Sequence, residues 1–455
     1  TIPKWKFQIM KTLNEIQQEI LINANIPKNE INDWIYNNQS IVFDFLVHDF
    51  FIGLSYNISY KKITFFLRNE SKSNYPSRKI YKQYFDFIKT CYPQFNISVS
   101  ENNFSFSCDS NYQPILTEIL NKTYNYLKQT QSIEPIINID LLDDSLLDKL
   151  LNSNKHIGIK ANGFFLSYAR DNNLNNVVYK LCNNGFIATE YLLGTTVFKK
   201  IELEKYDELL PYFPETFDCL NNVIFNLEKP KLNTTLEKNL LIIFSYTNKS
   251  NEKPLERYYT HSYPFISNTL LPNTYIVRIA DLGGAFGCHG LNTKFDTNVE
   301  KDIQKFIKSL ASLYEINEDK IVILGASSGG TGALYHALLG NYKTYSIDPY
   351  LGSEEYYKGK DPLYLKVLAK DIKESFLTIQ KTGKNDAVIC TSKNSEFYSD
   401  IINLKARIPE LKIIEYNDPG IKNHPQVASK TNYLAGVIIN NLLLDYKIKD
   451  TILDF

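Results

Sequence analysis

Residues 320–340 read KIVILGASSGGTGALYHALLG, and the fold of the C-terminal half turns on them. The run 321–324 is apolar throughout and rich in Ile and Val, the composition of a strand buried on both faces. The stretch 331–340 reads as a helix. Between them Gly325-Ala326-Ser327-Ser328-Gly329 gives G-x-S-x-G in a strand–turn–helix setting. In that setting the serine stands on a sharp turn, and small residues two before and two after it let strand and helix approach. Ser327 is therefore the expected nucleophile. Ser328 is the competing serine, but the glycine spacing centres on Ser327.

Working outward, apolar strand candidates lie at 239–245, 274–281, 320–325, 344–348, 386–391 and 411–416. Helical stretches separate most of them, at 262–270, 297–315, 328–339, 361–380, 397–407 and 425–445. Strands of this kind alternating with helices predict an α/β fold, a parallel sheet covered on both faces. Right-handed crossovers then bring the C-terminal ends of the strands to one edge, where such sheets hold ligands. The reading is an α/β-hydrolase fold over 233–455.

The base is sought after the last strand, where residues 417–424 read NDPGIKNH. His424 stands there at the catalytic edge and is the candidate to take the Ser327 proton. His336, behind the elbow, reads as a packed neighbour. An acid should follow the penultimate strand, and Glu396 is the first candidate. Asp400 falls later, within a helix. Asp348, which ends the strand before and precedes Pro349, is the alternative. Oxyanion donors should be backbone N–H groups, those of Ser328 and of Ser245 or Tyr246. The glycine-rich loop 282–290 (LGGAFGCHG) lacks the dinucleotide spacing and reads as a cleft wall, with His289 as a lining candidate. Arg257 and Lys393 are candidate contacts for an anionic substrate, and solvated surface charge is the plainer reading of both.

The first half reads as α+β and carries no catalytic signature. Residues 40–67 are strand-like, 79–91 and 113–129 helical, and 95–108 a hairpin turning at Glu101-Asn102-Asn103. Farther on, 157–169 reads as strand, 174–184 as helix and 185–202 as a strand pair. A polar, Pro-containing stretch at 228–235 reads as a linker. The expected domains are thus 1–232, with a subdivision near 131, and 233–455.

Composition narrows the function classes. Lys plus Arg and Asp plus Glu both number 50 in 455 residues, so net charge gives no whole-chain basis for nucleic-acid binding. The six cysteines, at 91, 108, 182, 219, 288 and 390, form no C-x-x-C pair. Free thiols are expected, with neither a disulfide frame nor a metal site. The opening Thr1-Ile-Pro-Lys-Trp has no apolar leader core, and no run of eighteen apolar residues occurs. The expectation is a cytoplasmic protein, at most peripheral to the inner face of the membrane.

The run GASSGGTGALYHALLGNYKTYSIDP, with LLIIFSYTN, PLERYY and YPFI upstream, resembles the XcbB/CpsF-type capsular polysaccharide biosynthesis proteins. More distantly it is similar to the glycan O-acetyltransferase of the accessory Sec system. The resemblance covers about 235–430. It implies a hydrolase core with Ser, acid and His in that order, which carries over to Ser327, Glu396 and His424. It implies acetyl-CoA as co-substrate, no bound cofactor, a surface-polysaccharide acceptor and capsule-assembly partners; residues 1–232, outside the resemblance, are expected to serve in acceptor binding or scaffolding. A glycan deacetylase using the same triad, or a non-catalytic assembly scaffold, are the alternatives.

Overall fold

The structure, a computed structural model, describes residues 136–455 apart from 193–194, 215, 231–235, 249–253, 353–359, 362 and 380–385, together with six strands between residues 35 and 109. The chain divides into two compact units, Thr1–Glu134 and Pro135–Phe455.

The described part of the first unit is an antiparallel sheet. Its strands are β1 (Ile35–Tyr36), β2 (Ser40–Val47), β3 (Phe50–Asn57), β4 (Lys62–Asn69), β5 (Ile97–Ser100) and β6 (Asn103–Asp109), in the order β1-β2-β3-β4-β6-β5. The 95–108 hairpin is present, with Ser100 opposite Asn103. The helices expected at 79–91 and 113–129 lie outside the described residues.

The second unit opens with β7 (Ile136–Asn138), α1 (Asp144–Ser153), β8 (His156–Lys160), α2 (Phe165–Asp171), α3 (Asn175–Asn183), β9 (Phe186–Leu192) and β10 (Thr195–Lys200). These strands form a four-stranded sheet ordered β7-β8-β10-β9. The run expected as strand through 169 turns helical at Phe165. Phe165 N–H donates to Thr196 Oγ1 (2.8 Å), and Phe165, Leu166 and Ala169 pack inward as one face of α2.

The nine-stranded sheet follows: β11 (Phe217–Leu220), β12 (Val223–Glu228), β13 (Asn239–Phe244), β14 (Thr274–Ile279), β15 (Ile321–Ala326), β16 (Lys343–Ile347), β17 (Ala387–Thr391), β18 (Lys412–Asn417) and β19 (Thr451–Asp454). The order is β11-β12-β14-β13-β15-β16-β17-β18-β19. All pairs from β14 to β19 are parallel, while β11 and β12 join antiparallel. All six expected strands are there, in the α/β architecture anticipated. Helices α4 (Val299–Tyr314), α5 (Ser328–Gly340), α6 (Ile372–Leu377), α7 (Tyr398–Arg407), α8 (His424–Thr431) and α9 (Leu434–Leu443) connect and cover them.

The alternation of the strands sorts the core. Leu240, Ile242, Ile321 and Ile323 pack with Ile303, Phe306 and Ile307 of α4 on one face. Leu241, Ile243, Val322 and Leu324 pack with Val427 of α8 and Ile439 of α9 on the other. Because β13 lies between β14 and β15, the chain leaves it in opposite directions at successive crossovers. The loops after β13 and β15 therefore part at the sheet edge and open a crevice there.

The boundary expected near 230 is not where the chain divides. Phe225 of β12 sits opposite Ile279 of β14, and Val223 and Phe225 belong to the same core as Phe306. Ile187, Ile201 and Tyr206 share a second core with Ala280 and Leu282. Side chains between Ile187 and Phe225 thus share cores with the nine-stranded sheet, and the stretch read as a linker begins inside β12, where Glu228 pairs with Arg278 (3.3 Å).

Candidate active site

Ser327 stands between β15 and α5 at φ 54°, ψ −123°, a backbone conformation rare for a residue with a Cβ. Two features hold it there. Its N–H continues the sheet by donating to Ile347 O (2.9 Å), and its carbonyl accepts from Thr331 N–H (3.0 Å) within the helix that follows. The glycines match the close approach that the sequence demanded. A Cβ on Gly329 would lie 2.6 Å from Phe244 O and 2.9 Å from Ser245 O, and one on Gly325 would run into the Gly329 carbonyl.

Ser327 Oγ lies 2.7 Å from His424 Nε2, and His424 Nδ1 lies 2.7 Å from Asp348 Oδ2. A carboxylate only accepts, so Nδ1 carries the hydrogen and the Nε2 lone pair faces the serine hydroxyl. Phe397 packs on the imidazole with ring centroids 4.1 Å apart.

The acid in contact with the imidazole is Asp348, where Glu396 was expected. Asp348 follows β16 at φ 45° and is wholly buried. Its carboxylate also accepts from Thr391 Oγ1 (2.6 Å), at the end of the neighbouring strand β17, and from Ser395 Oγ (2.5 Å), in the turn that follows. Glu396 is exposed and takes a different bond, accepting the backbone N–H of His424 at 2.6 Å. It therefore caps the start of α8, where the Asn423 side chain makes no capping bond. One carboxylate orients the ring and the other the backbone of the same histidine. Asp400 lies in the first turn of α7.

Ser328 opens α5, and its N–H belongs to the first turn, which has no intrahelical acceptor. Its hydroxyl accepts from both Thr247 N–H (2.7 Å) and Thr247 Oγ1 (2.9 Å), tying the loop after β13 to the elbow. Tyr246 sits in that loop. Ser245 is buried, its hydroxyl donating to Ile279 O (2.8 Å).

Ser327 and His424 line a cavity of about 800 Å³ whose walls also include Tyr246, Thr247, Tyr263, His289, Ser328 and Tyr433. Phe265 and Tyr433, at its wall, are exposed. Phe265 lies in the YPFI run that carries the resemblance, whereas Tyr433 belongs to no motif that reading the sequence could single out.

His289 lines the cavity, as expected. Arg257 and Lys393 are placed elsewhere. Arg257 is no surface charge: it is 1% exposed, its guanidinium 4.4 Å from the Phe164 ring centroid and 4.3 Å from that of Phe286. Burial pushes its pKa down to about 10, so it stays a cation at neutral pH. Lys393 is exposed and pairs with Glu415 (2.8 Å). His336 is a packed residue: it is fully buried, with Nε2 2.8 Å from Gly290 O and Nδ1 3.0 Å from Gln304 Nε2.

Among the described residues no cluster of three or more His, Cys, Asp or Glu side chains is placed to hold a metal ion. None of their helices is long and apolar enough to cross a membrane. Cys182, Cys219, Cys288 and Cys390 carry no disulfide.

No protein-family model matches the chain, and no curated protein matches it. Solved structures do. The capsule O-acetyltransferase of Neisseria meningitidis serogroup A is 21% identical, with a TM-score of 0.38 over 50% of this chain and 94% of that one. A glycosylation-associated protein complex of Streptococcus agalactiae is 14% identical, with a TM-score of 0.38 over 49% of this chain and 44% of that one. Acetyl xylan esterase 1 of Thermoanaerobacterium is 16% identical, with a TM-score of 0.34 over 50% of this chain and 80% of that one.

Proposed function

We propose that this chain is a serine-dependent acyltransferase that moves an acetyl group from acetyl-CoA to a hydroxyl of a bacterial surface polysaccharide. The observation that carries the acyl-transfer part is the relay Ser327–His424–Asp348, with both contacts at 2.7 Å, opening on the cavity. The acetyl group and the polysaccharide rest on the sequence resemblance.

In this reading His424 Nε2 takes the Ser327 proton while Oγ attacks the thioester carbonyl. The negative oxygen is met by the N–H groups of Ser328 and of Tyr246 at the crevice. His424 returns the proton to the departing CoA sulfur, leaving acetyl-Ser327. An acceptor hydroxyl then gives its proton to His424 and attacks the acetyl carbonyl, and the serine leaves with that proton restored. Asp348 holds the ring in the tautomer that both halves need.

The test is to incubate the full chain with acetyl-CoA, with and without capsular polysaccharides. CoA release that rises with glycan, together with acetylated glycan, is the expected result. Loss of acetyl from a pre-acetylated glycan, with no CoA release, would make the protein an esterase. Silence in both assays would leave a scaffold.

A further inference from the structure

The loop after β14 presents an imidazole that the triad does not use. His289 is 1% exposed, stands at φ 58°, and lies on the cavity wall together with Ser327, Ser328 and Tyr350. Its backbone is fixed from beneath. The Asp281 carboxylate accepts the N–H groups of Cys288 (3.1 Å), His289 (2.8 Å) and Gly290 (3.0 Å). Gly287, at φ 87°, makes this possible, because a Cβ there would collide with the same carboxylate. The loop is thus built around Asp281 and holds one side chain at the cavity.

That side chain is left without a hydrogen bond. Neither Nδ1 nor Nε2 of His289 has a partner within the protein, whereas both ring nitrogens of nearby His336 are met. A buried polar group left unmet is destabilising. A ligand in the cavity can remove that cost. Burial lowers the pKa of His289, so near neutral pH the ring is uncharged, with one N–H and one lone pair. A hydroxyl both donates and accepts, and pairs with either tautomer. A phosphate or carboxylate oxygen only accepts and would leave the ring's lone pair unmet.

We propose that His289 binds the acyl acceptor, its imidazole holding a hydroxyl of an uncharged, sugar-like molecule beside the acylated serine. This rests on the acyl-serine reading above.

The experiment uses the full chain, p-nitrophenyl acetate as acyl donor, and the neutral methyl glycosides of glucose, galactose and N-acetylglucosamine as acceptors. Mass spectrometry follows acetyl-Ser327, and product analysis gives the ratio of transfer to hydrolysis. The wild type should share its acetyl group between water and at least one glycoside. His289→Phe, which keeps a ring and loses both nitrogens, should lower that ratio about tenfold or more and raise the glycoside KM. Its thermal midpoint should be no lower than that of the wild type, since the unmet polar group is gone. His289→Asn keeps a donor and an acceptor, tolerates the left-handed backbone, and should restore part of the ratio. An unchanged ratio in His289→Phe, or acetyl-Ser327 that no glycoside discharges in the wild type, overturns the assignment of His289. Absence of acetyl-Ser327 in the wild type overturns the acyl-serine reading itself, and this role with it.

Discussion

Asp348 and Glu396 both touch His424, one at the ring and one at the backbone. They should therefore differ sharply on mutation. Asp348→Asn can present an N–H to Nδ1 and favours the wrong tautomer, so kcat/KM for p-nitrophenyl acetate should fall about 10⁴-fold, as when the orienting carboxylate of a serine triad is lost. Glu396→Gln keeps an oxygen for the His424 N–H and loses only a charge at the start of α8, an effect within about tenfold. The reverse ranking in steady-state rates would return the acid role to Glu396. Ser327→Ala should remove turnover and labelling by a fluorophosphonate while circular dichroism stays unchanged; labelling at Ser328 instead would refute the centring on Ser327. Ser327 and His424 could be read from sequence because each follows a strand end at fixed order. The acid could not, because Asp348 and Glu396 both follow strand ends. Only the third dimension shows which strand's loop turns beneath the imidazole.

At the scale of elements, the elbow depends on how closely α5 approaches the end of β13. Gly329→Ala places a methyl 2.6 Å from Phe244 O, and backbone cannot yield as a flexible side chain can. We expect a loss of about 1–3 kcal/mol in stability and most of the activity, measured by denaturant unfolding and ester hydrolysis. On the same face of α5, two turns farther on, His336 stacks on Phe244 and bridges to the loop at Gly290. Burial pushes its pKa down to about 4 from the ordinary 6.5. Above pH 6.5 the ring is neutral whether folded or unfolded and costs nothing. As pH falls from 6.5 towards 4 the unfolded state takes up the proton first, so stability drops, by about 3 kcal/mol in all. His336→Phe should flatten that part of the thermal midpoint against pH; an identical slope would show that other groups set it. Strands that are apolar on both faces were legible as such. Helices were less so: 262–270 yields only the short helical turn Ile266–Asn268, Tyr263 standing at φ 53° before it, and 361–380 is broken where Tyr364 takes φ 58°. The span 425–445 becomes two helices, α8 and α9. Strands β11 and β12 escaped notice because four and six residues beside a polar stretch resemble a connector.

For the whole molecule, the folding unit of the catalytic half begins near residue 135. A fragment of residues 135–455 should unfold in one cooperative transition. A fragment of 233–455 lacks β12, which pairs with β14, and leaves Ile279, Ala280 and Leu282 uncovered. It should be insoluble, or bind a hydrophobic dye as expanded compact states do. A soluble 233–455 fragment with a sharp thermal transition would restore the boundary expected from the polar stretch at 228–235. Glu228, the first residue of that stretch, still belongs to β12, and composition alone does not separate the end of an outlying strand from a tether.

Arg257 gives this arrangement a further meaning. Its cation is enclosed between Phe286, from the loop after β14, and Phe164, from the segment that precedes β11. Any lineage that lost or exchanged residues 135–232 would expose one aromatic face and strand a charge inside the remaining protein. Recombination could therefore not trade this segment as a cassette. Its divergence would proceed residue by residue, in step with the core it shares with the nine-stranded sheet.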